Sequence, residues 1–506
     1  MSNQLDIDFP EGNSLPPGWA EATLVSLVAD QPNAMTDGPF GSKLKSAHYT
    51  EAGVRVIRLG NLGVGEFKDK DRSFVSEEHA ATLSKHAVEA GDLLIAALAE
   101  PVGRCCRVPS KVLPAIVKAD CIRFRPHPSV SPAFLMHWMN SPIGRKNAEH
   151  FSHGVGRLRI NMKNMRVLPV RIAPLPEQRR IVAEIETQFT RLDAAVSTLK
   201  RVQVNLKRAR ASVLKAAVEG RLVPTEAQVA RAEGRASDPA SVLLERILDE
   251  RRRKHDEAQV GAKRKKKYKP PVEPDTDGLP ELPEGWVWTS CDAVGEILLG
   301  RQRAPQYLTG EWSRPYLRVA NIKDDRIDFA DVKEMDFDPD HFARYALQPE
   351  DILVSEGQSP ELVGQSAIYS GGHDGLCFQK TLHRWRPVRG GPSSRYAQTV
   401  FRAWVRLRVF MARASITTNI AHLTLTKFRH SPFPLPPLAE QDRIVAKVER
   451  RLSVLDALEQ TVQRNLLRCT ALRQSILKRA FEGRLVPQDS TDEPASELLA
   501  RIGATS

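Results

Sequence analysis

At 506 residues the chain is long enough for several domains, each able to bury its own core. Hydrophobic residues at 41 % and aromatics at 6 % exclude a disordered polyelectrolyte, and a formal charge of +13 with a pI near 9.5 makes polyanions the leading class of partner. Cys105, Cys106, Cys121, Cys291, Cys377 and Cys469 form no C-x-x-C pair and no zinc spacing, so reduced thiols in a cytoplasmic protein are expected.

The start, "MSNQLDIDFPEGNSLPPGW", lacks the basic-then-apolar order of a signal peptide, and no apolar run approaches the roughly 20 residues of a membrane helix. "LPPGW" at Leu15 opens a block of about 150 residues, a usual domain size. Within it "RVIRLGNL" from Arg55, "GDLLIA" from Gly91 and "VGRCCRV" from Val102 are short apolar runs beside Gly or Asn, which predicts strands and turns. From Glu177 the pattern changes. Apolar residues at Ile181, Ile185, Phe189, Leu192, Val196, Leu199, Val202, Leu206, Ala209 and Val213 are spaced by three or four, a narrow stripe that predicts a long coiled-coil helix. Pro174 and Pro176 stand at its start, and "EGRLVP" ends it, with Gly220 suited to a left-handed cap and Pro224 barring continuation.

Next comes "PASVLLERI", predicted to begin a further helix, then a linker whose basic cluster is Lys263, Arg264, Lys265, Lys266, Lys267 and Lys269. That cluster suits either a phosphate grip or a solvated tether. "LPEGW" at Leu282 opens a second block, in which "PYLRVANI", "EDILVS" and "VGQSAIY" answer the three strand runs of the first. A second long helix follows, with its stripe at Ile444, Val448, Leu452, Leu455, Leu458, Val462, Leu466, Cys469, Leu472 and Ile476, and ends at a second "EGRLVP". In a register of 263 residues, 23 of the 48 positions from Glu177 to Pro224 are identical to those from Glu440 to Pro487. The chain is an internal duplication whose helices are the constant part and whose blocks share only a skeleton.

Catalytic signatures are missing from the sequence. It has no Gly-Lys dipeptide for a P-loop, no "NPPY"-like tetrapeptide of a methyltransferase, no H-E-x-x-H and no G-x-S-x-G. Such a chain is expected to recognise or scaffold, leaving catalysis to partners.

Two variable blocks, each followed by "PLP" or "PLA" with "EQ", a long helix and "EGRLVP", resemble the specificity subunit of type I restriction–modification systems over residues 15–505. The resemblance implies an α+β fold: two globular target recognition domains of mixed sheet plus helices, separated by two long antiparallel coiled-coil helices in a pseudo-two-fold repeat. The corresponding boundaries are an N-terminal tail 1–14, recognition domain 15–173, spacer helix 174–224, and helix extension with basic Pro-rich linker 225–278. A second recognition domain 279–435, spacer helix 436–487 and a C-terminal segment 488–506 that matches 233–250 complete the chain. It further implies a non-enzymatic subunit that binds double-stranded DNA. Each domain would take one half of a split site, and two methyltransferase subunits would dock on the helices. S-adenosylmethionine, ATP and Mg2+ would belong to those modification and restriction subunits, with no cofactor or metal on this chain. Two readers at fixed spacing also suit two half-sites a set number of base pairs apart, and unlike domains suit a non-palindromic site. The duplication alone also allows a non-catalytic scaffold joining two ligand-binding modules through a coiled coil.

Base readers should be polar side chains on loops of the variable blocks. In the first block "DGPFGSKLK" and "HGVGRLRINMKN" supply Ser42, Lys43, Lys45, Arg157, Arg159, Asn161 and Lys163. In the second, "GRQRAPQ" supplies Arg301, Gln302 and Arg303, "SEGQSPEL" supplies Gln358 and Ser359, and "SITTNIAHLT" supplies Thr417, Thr418, Asn419 and His422. Arg58 with Asn61 and Arg318 with Asn321 recur at matching strand ends and are expected to hold the turn or touch phosphate.

Overall fold

The computed structural model describes residues 15–98, 100–260, 267–417 and 419–504. The tail 1–14, the basic residues 263–266 and Thr418 lie outside them. The chain divides into two compact units, 1–200 with 463–506 and 201–462.

In the first unit, "GDLLIA" forms the buried strand Leu93–Ala96 at the heart of a four-stranded antiparallel sheet. Its neighbours are Cys121–Phe124, which in turn pairs with Met35–Thr36, and Cys105–Arg107 on the other side. A second sheet of five strands contains the parallel pair Val54–Ile57 and Ala115–Val117. The second unit repeats the plan. Ile352–Ser355 lies between Leu382–Pro387 and Ser366–Ile368, with Gly295–Leu299 beyond, and a smaller sheet holds the parallel pair Ser313–Leu317 and Cys377–Phe378.

A buried aspartate fixes the same corner in each. Asp92 takes both prongs of Arg125 at 2.8 Å, and Asp351 takes both prongs of Arg386 at 2.6 and 2.7 Å. Such forks are oriented as well as strong, and set strand register. Asn61 accepts from Arg58 N–H and donates to the carbonyls of Lys68 and Lys70. Asn321 does the same with Arg318, Asp328 and Asp331, so both asparagines hold the turn.

The long helices are Leu175–Val218 and Leu438–Phe481, 44 residues each. The start of the first and the end of the second belong to the first unit, and the reverse holds for the second unit. Within the first unit Arg473 pairs with Asp193 and lies 4.6 Å from the Phe189 ring; within the second unit Arg210 pairs with Asp456 and Glu459. Arg210 and Arg473, like Asp193 and Asp456, are equivalent in the 263-residue register, so each antiparallel pairing repeats the other. These ion pairs also correct the seam. Leu458 and Leu472 of the expected stripe are exposed, because stepping four residues from Leu455 and from Cys469 brings Glu459 and Arg473 to the contact instead.

"EGRLVP" ends each helix in a Schellman motif. Gly220 and Gly483 have φ of +64° and +66°, and Arg221 and Arg484 donate their N–H groups to the carbonyls of Ala216 and Arg479, both at 2.8 Å. Each end is also covered by a lead-in of the same unit. A Cβ on Gly483 would fall 2.5 Å from Pro16, and one on Gly220 would fall 2.4 Å from Pro283. The lead-in tryptophans are fastened too. Trp19 donates to Glu177 at 3.0 Å and Trp286 to Glu440 at 2.9 Å, burial raising both carboxyls above the ordinary glutamate value against the opposing pull of those donors.

Past the caps, helix Ala240–Gln259 docks its first N–H on the Gly285 carbonyl, as helix Ala495–Ala504 docks on that of Gly18. The short helix Glu226–Glu233 has no counterpart after the second cap among the described residues. No helix of the described residues is long and apolar enough to cross a membrane.

Candidate nucleic-acid interface

In the first unit two of the sequence-selected stretches come together. The first loop follows strand Met35–Thr36. Gly38 is required there, since a Cβ would fall 2.0 Å from the backbone of Lys118. The second stretch folds back on itself as a ribbon. His153 and Arg159 bridge each other, Arg159 also bridges Leu98, and Ile160 N–H donates to the Ala97 carbonyl at 2.9 Å.

Arg159 joins the two. Its guanidinium lies 5.4 Å from the Phe40 ring and pairs with Asp120 at 2.8 Å. Asp37, Lys43, Lys85, Arg159, Asn161 and Arg166 share a concavity of about 670 Å³. This floor is rich in cations and contains one partly buried carboxyl. Burial raises Asp37 to about 6, opposed by the N–H of Gly38 and reinforced by the nearby Asp120.

The other selected residues of this unit divide by role. Ser42, Lys43, Lys45, Arg157 and Lys163 are exposed. Arg157 lines a neighbouring cleft of about 820 Å³ with Arg104, Arg145, Leu158 and two glutamates, Glu100 and Glu149. Asn161 is an N-cap: its side-chain oxygen accepts the Asn164 N–H at 2.8 Å and starts helix Met162–Arg166. Phe40, Arg104, Lys85 and Arg166 escaped sequence reasoning. Nothing in their spacing says that folding carries Phe40, Lys85 and Arg166 to the first concavity and Arg104 to the second.

In the second unit the corresponding ribbon is Ser415–Thr417 paired with Ile420–His422, and Gly357–Gln358 adds a third strand. Leu423 N–H donates to the Glu356 carbonyl at 2.7 Å, the counterpart of the Ile160 bond, which makes His422 equivalent to Arg159 and Ile420 to Arg157. Gln358, Thr417 and His422 are thereby gathered on one small sheet, with Asn419 exposed between its strands. Ser359 is half-buried and its carbonyl closes the turn to Leu362 and Val363. His422 Nδ1 lies 3.4 Å from Glu356, and Lys427 donates to Ser415 Oγ at 2.8 Å.

Arg301 does not belong with the base readers. It is 6 % exposed, donates to the Asp336 carbonyl at 2.6 Å and stacks 4.0 Å from the Tyr307 ring, so its fork is consumed inside the unit. Sequence showed an arginine next to a glycine in a loop. That glycine, Gly300, is pressed against the Gln379 carbonyl, which turns the following side chain inward. Gln302 and Arg303 are exposed on that separate loop.

The sequence around this ribbon also carries a charge pattern. From Gly375 to Ala439 there are eleven Lys and Arg and no Asp or Glu. Six of them, Arg386, Arg395, Arg402, Arg406, Arg413 and Arg429, are held by acids outside that stretch, while Lys427 stands at the foot of the ribbon.

Comparison with known proteins follows the same outline. No family model matches the chain. Over 504 residues it is 25 % identical to the type I restriction enzyme StySPI specificity subunit of Salmonella potsdam, covering 97 % of this chain and 96 % of that one. The EcoKI specificity subunit of Escherichia coli K12 is 23 % identical over 503 residues, with the same coverage. A solved chain from work on complex assembly and conformational transition of the type I R-M system aligns with a TM-score of 0.58 at 18 % identity, covering 94 % of this chain and all of that one, which establishes the shared fold.

Proposed function

We infer that this chain, which belongs to the family of type I restriction enzyme specificity subunits, is the sequence-specific DNA-recognition subunit of a restriction–modification complex. It is a recognition subunit and not an enzyme. In this reading domains 15–173 and 279–435 each take one half of an asymmetric bipartite site on double-stranded DNA. The spacer segments 174–224 and 436–487, with their long helices, set the gap and dock two methyltransferase subunits and the restriction subunits. S-adenosylmethionine, ATP and Mg2+ act on those partners, in the cytoplasm where the DNA is.

One observation carries the reading: a single frame is built twice, with the same Asp–Arg forks, turn asparagines and helix caps, and it holds two ribbons of unlike chemistry. A scaffold for two copies of one ligand would keep the ribbons alike. Ser42, Lys43, Lys45, Arg157, Arg159, Asn161 and Lys163 then serve the first half-site. Gln302, Arg303, Gln358, Ser359, Thr417, Asn419 and His422 serve the second, Thr418 lying beyond the described residues.

The test is genome-wide mapping of N6-methyladenine in the host, before and after residues 153–164 are replaced by the corresponding ribbon of a relative. One half of the methylated sequence should change and the other half and the gap should stay. A change in both halves, or methylation that persists unaltered without this chain, would refute the assignment.

A further inference from the structure

The second ribbon presents two exposed aliphatic side chains. Ile420 is 49 % exposed and Ile416 is 59 % exposed, on strands that pair Thr417 with Ile420 and Ser415 with His422. Cross-strand partners share a face, so Ser415, Thr417, Ile420 and His422 lie on one side of the ribbon. Ile416 lies on the other side with Ala421, which is buried. The neighbouring strand leaves the first face clear. A Cβ on Gly357 would stand 3.1 Å from His422 Nδ1 and 3.9 Å from Ile420 Cγ2, so glycine there lets both side chains lie over the strand.

We propose that Ile420 is a specificity-determining residue that packs against the C5-methyl group of a thymine in the half-site of the second domain. The inference rests on the DNA-recognition reading above. A two-stranded ribbon fits the major groove, and the thymine methyl is the one apolar group that base edges present there. Charge complementarity favours DNA over a protein as the occupant. Lys427 at the ribbon's foot is placed for a flanking phosphate; six of the eleven basic residues of the surrounding stretch are held by acids, and Lys427, whose ammonium donates to Ser415 of the ribbon, is not one of them. Glu356, the carboxylate in contact with the ribbon, is directed at His422 Nδ1. At the equivalent position the first ribbon has Arg157, a donor suited to guanine or phosphate, so the register puts two different letters at one place in the frame.

The experiment measures affinity of the complex, purified with its co-purifying chains, for a duplex bearing the mapped methylation site. Each thymine of the second half-site is replaced in turn by deoxyuridine, which removes only the methyl group. One replacement should weaken binding about fourfold, the worth of a single buried methyl. Ile420→Ala should bind the thymine and deoxyuridine duplexes equally, and Ile420→Val should keep part of the difference; because Ile420 is exposed, both variants should fold, as circular dichroism would check. Sensitivity retained by Ile420→Ala overturns the proposal, as does a wild type indifferent to every replacement or a half-site without thymine. Loss of co-purifying chains from Ile420→Ala without a change in methyl sensitivity would assign the residue to a protein contact and also overturn it. Discrimination against random duplex in the wild type is measured alongside. If it is present, a negative result removes this inference alone; if it is absent, the recognition reading itself falls.

Discussion

The two units build one frame and hang different chemistry on it. In the first, the ribbon brings Arg157 and Arg159; in the second, the matching ribbon has Ile420 and His422 at those places. What stays the same is buried or clamped: Asp92 and Asp351 under their arginines, Glu177 and Glu440 under their tryptophans, Gly220 and Gly483 in left-handed caps. The lesson is that each unit carries a variable hairpin whose foot is fixed by a backbone bond to the central sheet region, at Ala97 in one unit and Glu356 in the other. A ribbon can then change its letters without disturbing the strands that hold it.

The frame is the place for the largest effect. Gly483→Val and Gly220→Val each force a branched side chain into a left-handed residue and into Pro16 or Pro283. Each should destabilise its own unit by roughly 2–5 kcal/mol, combining the left-handed penalty with overpacking. Thermal unfolding measures it. If one glycine proved indifferent, the two caps would not be equivalent.

The ribbons should separate on salt. Arg157→Ala, removing an exposed cation, should lower the slope of log K against log[salt] by about 1 and weaken binding evenly across sequences if it meets phosphate. If Arg157 instead reads guanine, the loss should be confined to duplexes carrying that base. Ile420→Ala, at the same place in the other unit, should leave the salt slope unchanged. Equal slopes in all three proteins would erase the electrostatic contrast.

Much of the frame was legible because it is written in local chemistry. The three-four spacing, the prolines and the glycine stop located both helices, and short apolar runs beside Gly or Asn located the central strands. The course of the seam was harder: Leu458 and Leu472 satisfied the spacing, yet helical drift handed their places to Glu459 and Arg473, whose partners lie far along the chain. The candidate interface was legible in outline and not in detail. Polar residues in Gly-rich loops were visible, but whether a side chain faces outward is decided by tertiary contacts, as Arg301 shows. The apolar letters Ile416 and Ile420 were invisible to a rule that sought donors and acceptors.

The smallest difference between the units is a proton. Asp37 sits in the first concavity, and burial raises its carboxyl from 3.8 to about 6. A raised folded value means that the stability contributed by the neutral form is fully present below the unfolded value and is lost as pH rises through about 6. For DNA the sign runs the same way. Above about 6 the carboxylate repels phosphate from a floor shared with Lys43, Lys85, Arg159 and Arg166, and below it the repulsion is removed. His86, on the same floor, is pushed below the ordinary histidine value by burial. Affinity for the mapped site should therefore rise about twofold to fivefold as pH falls from 7 to 5.5, the scale of one screened charge pair. Asp37→Asn, which keeps an oxygen for the Gly38 N–H, should bind at pH 7 as the wild type binds at pH 5.5. Anisotropy titrations of both proteins across that range decide it, for a slope that survives Asp37→Asn must come from another group.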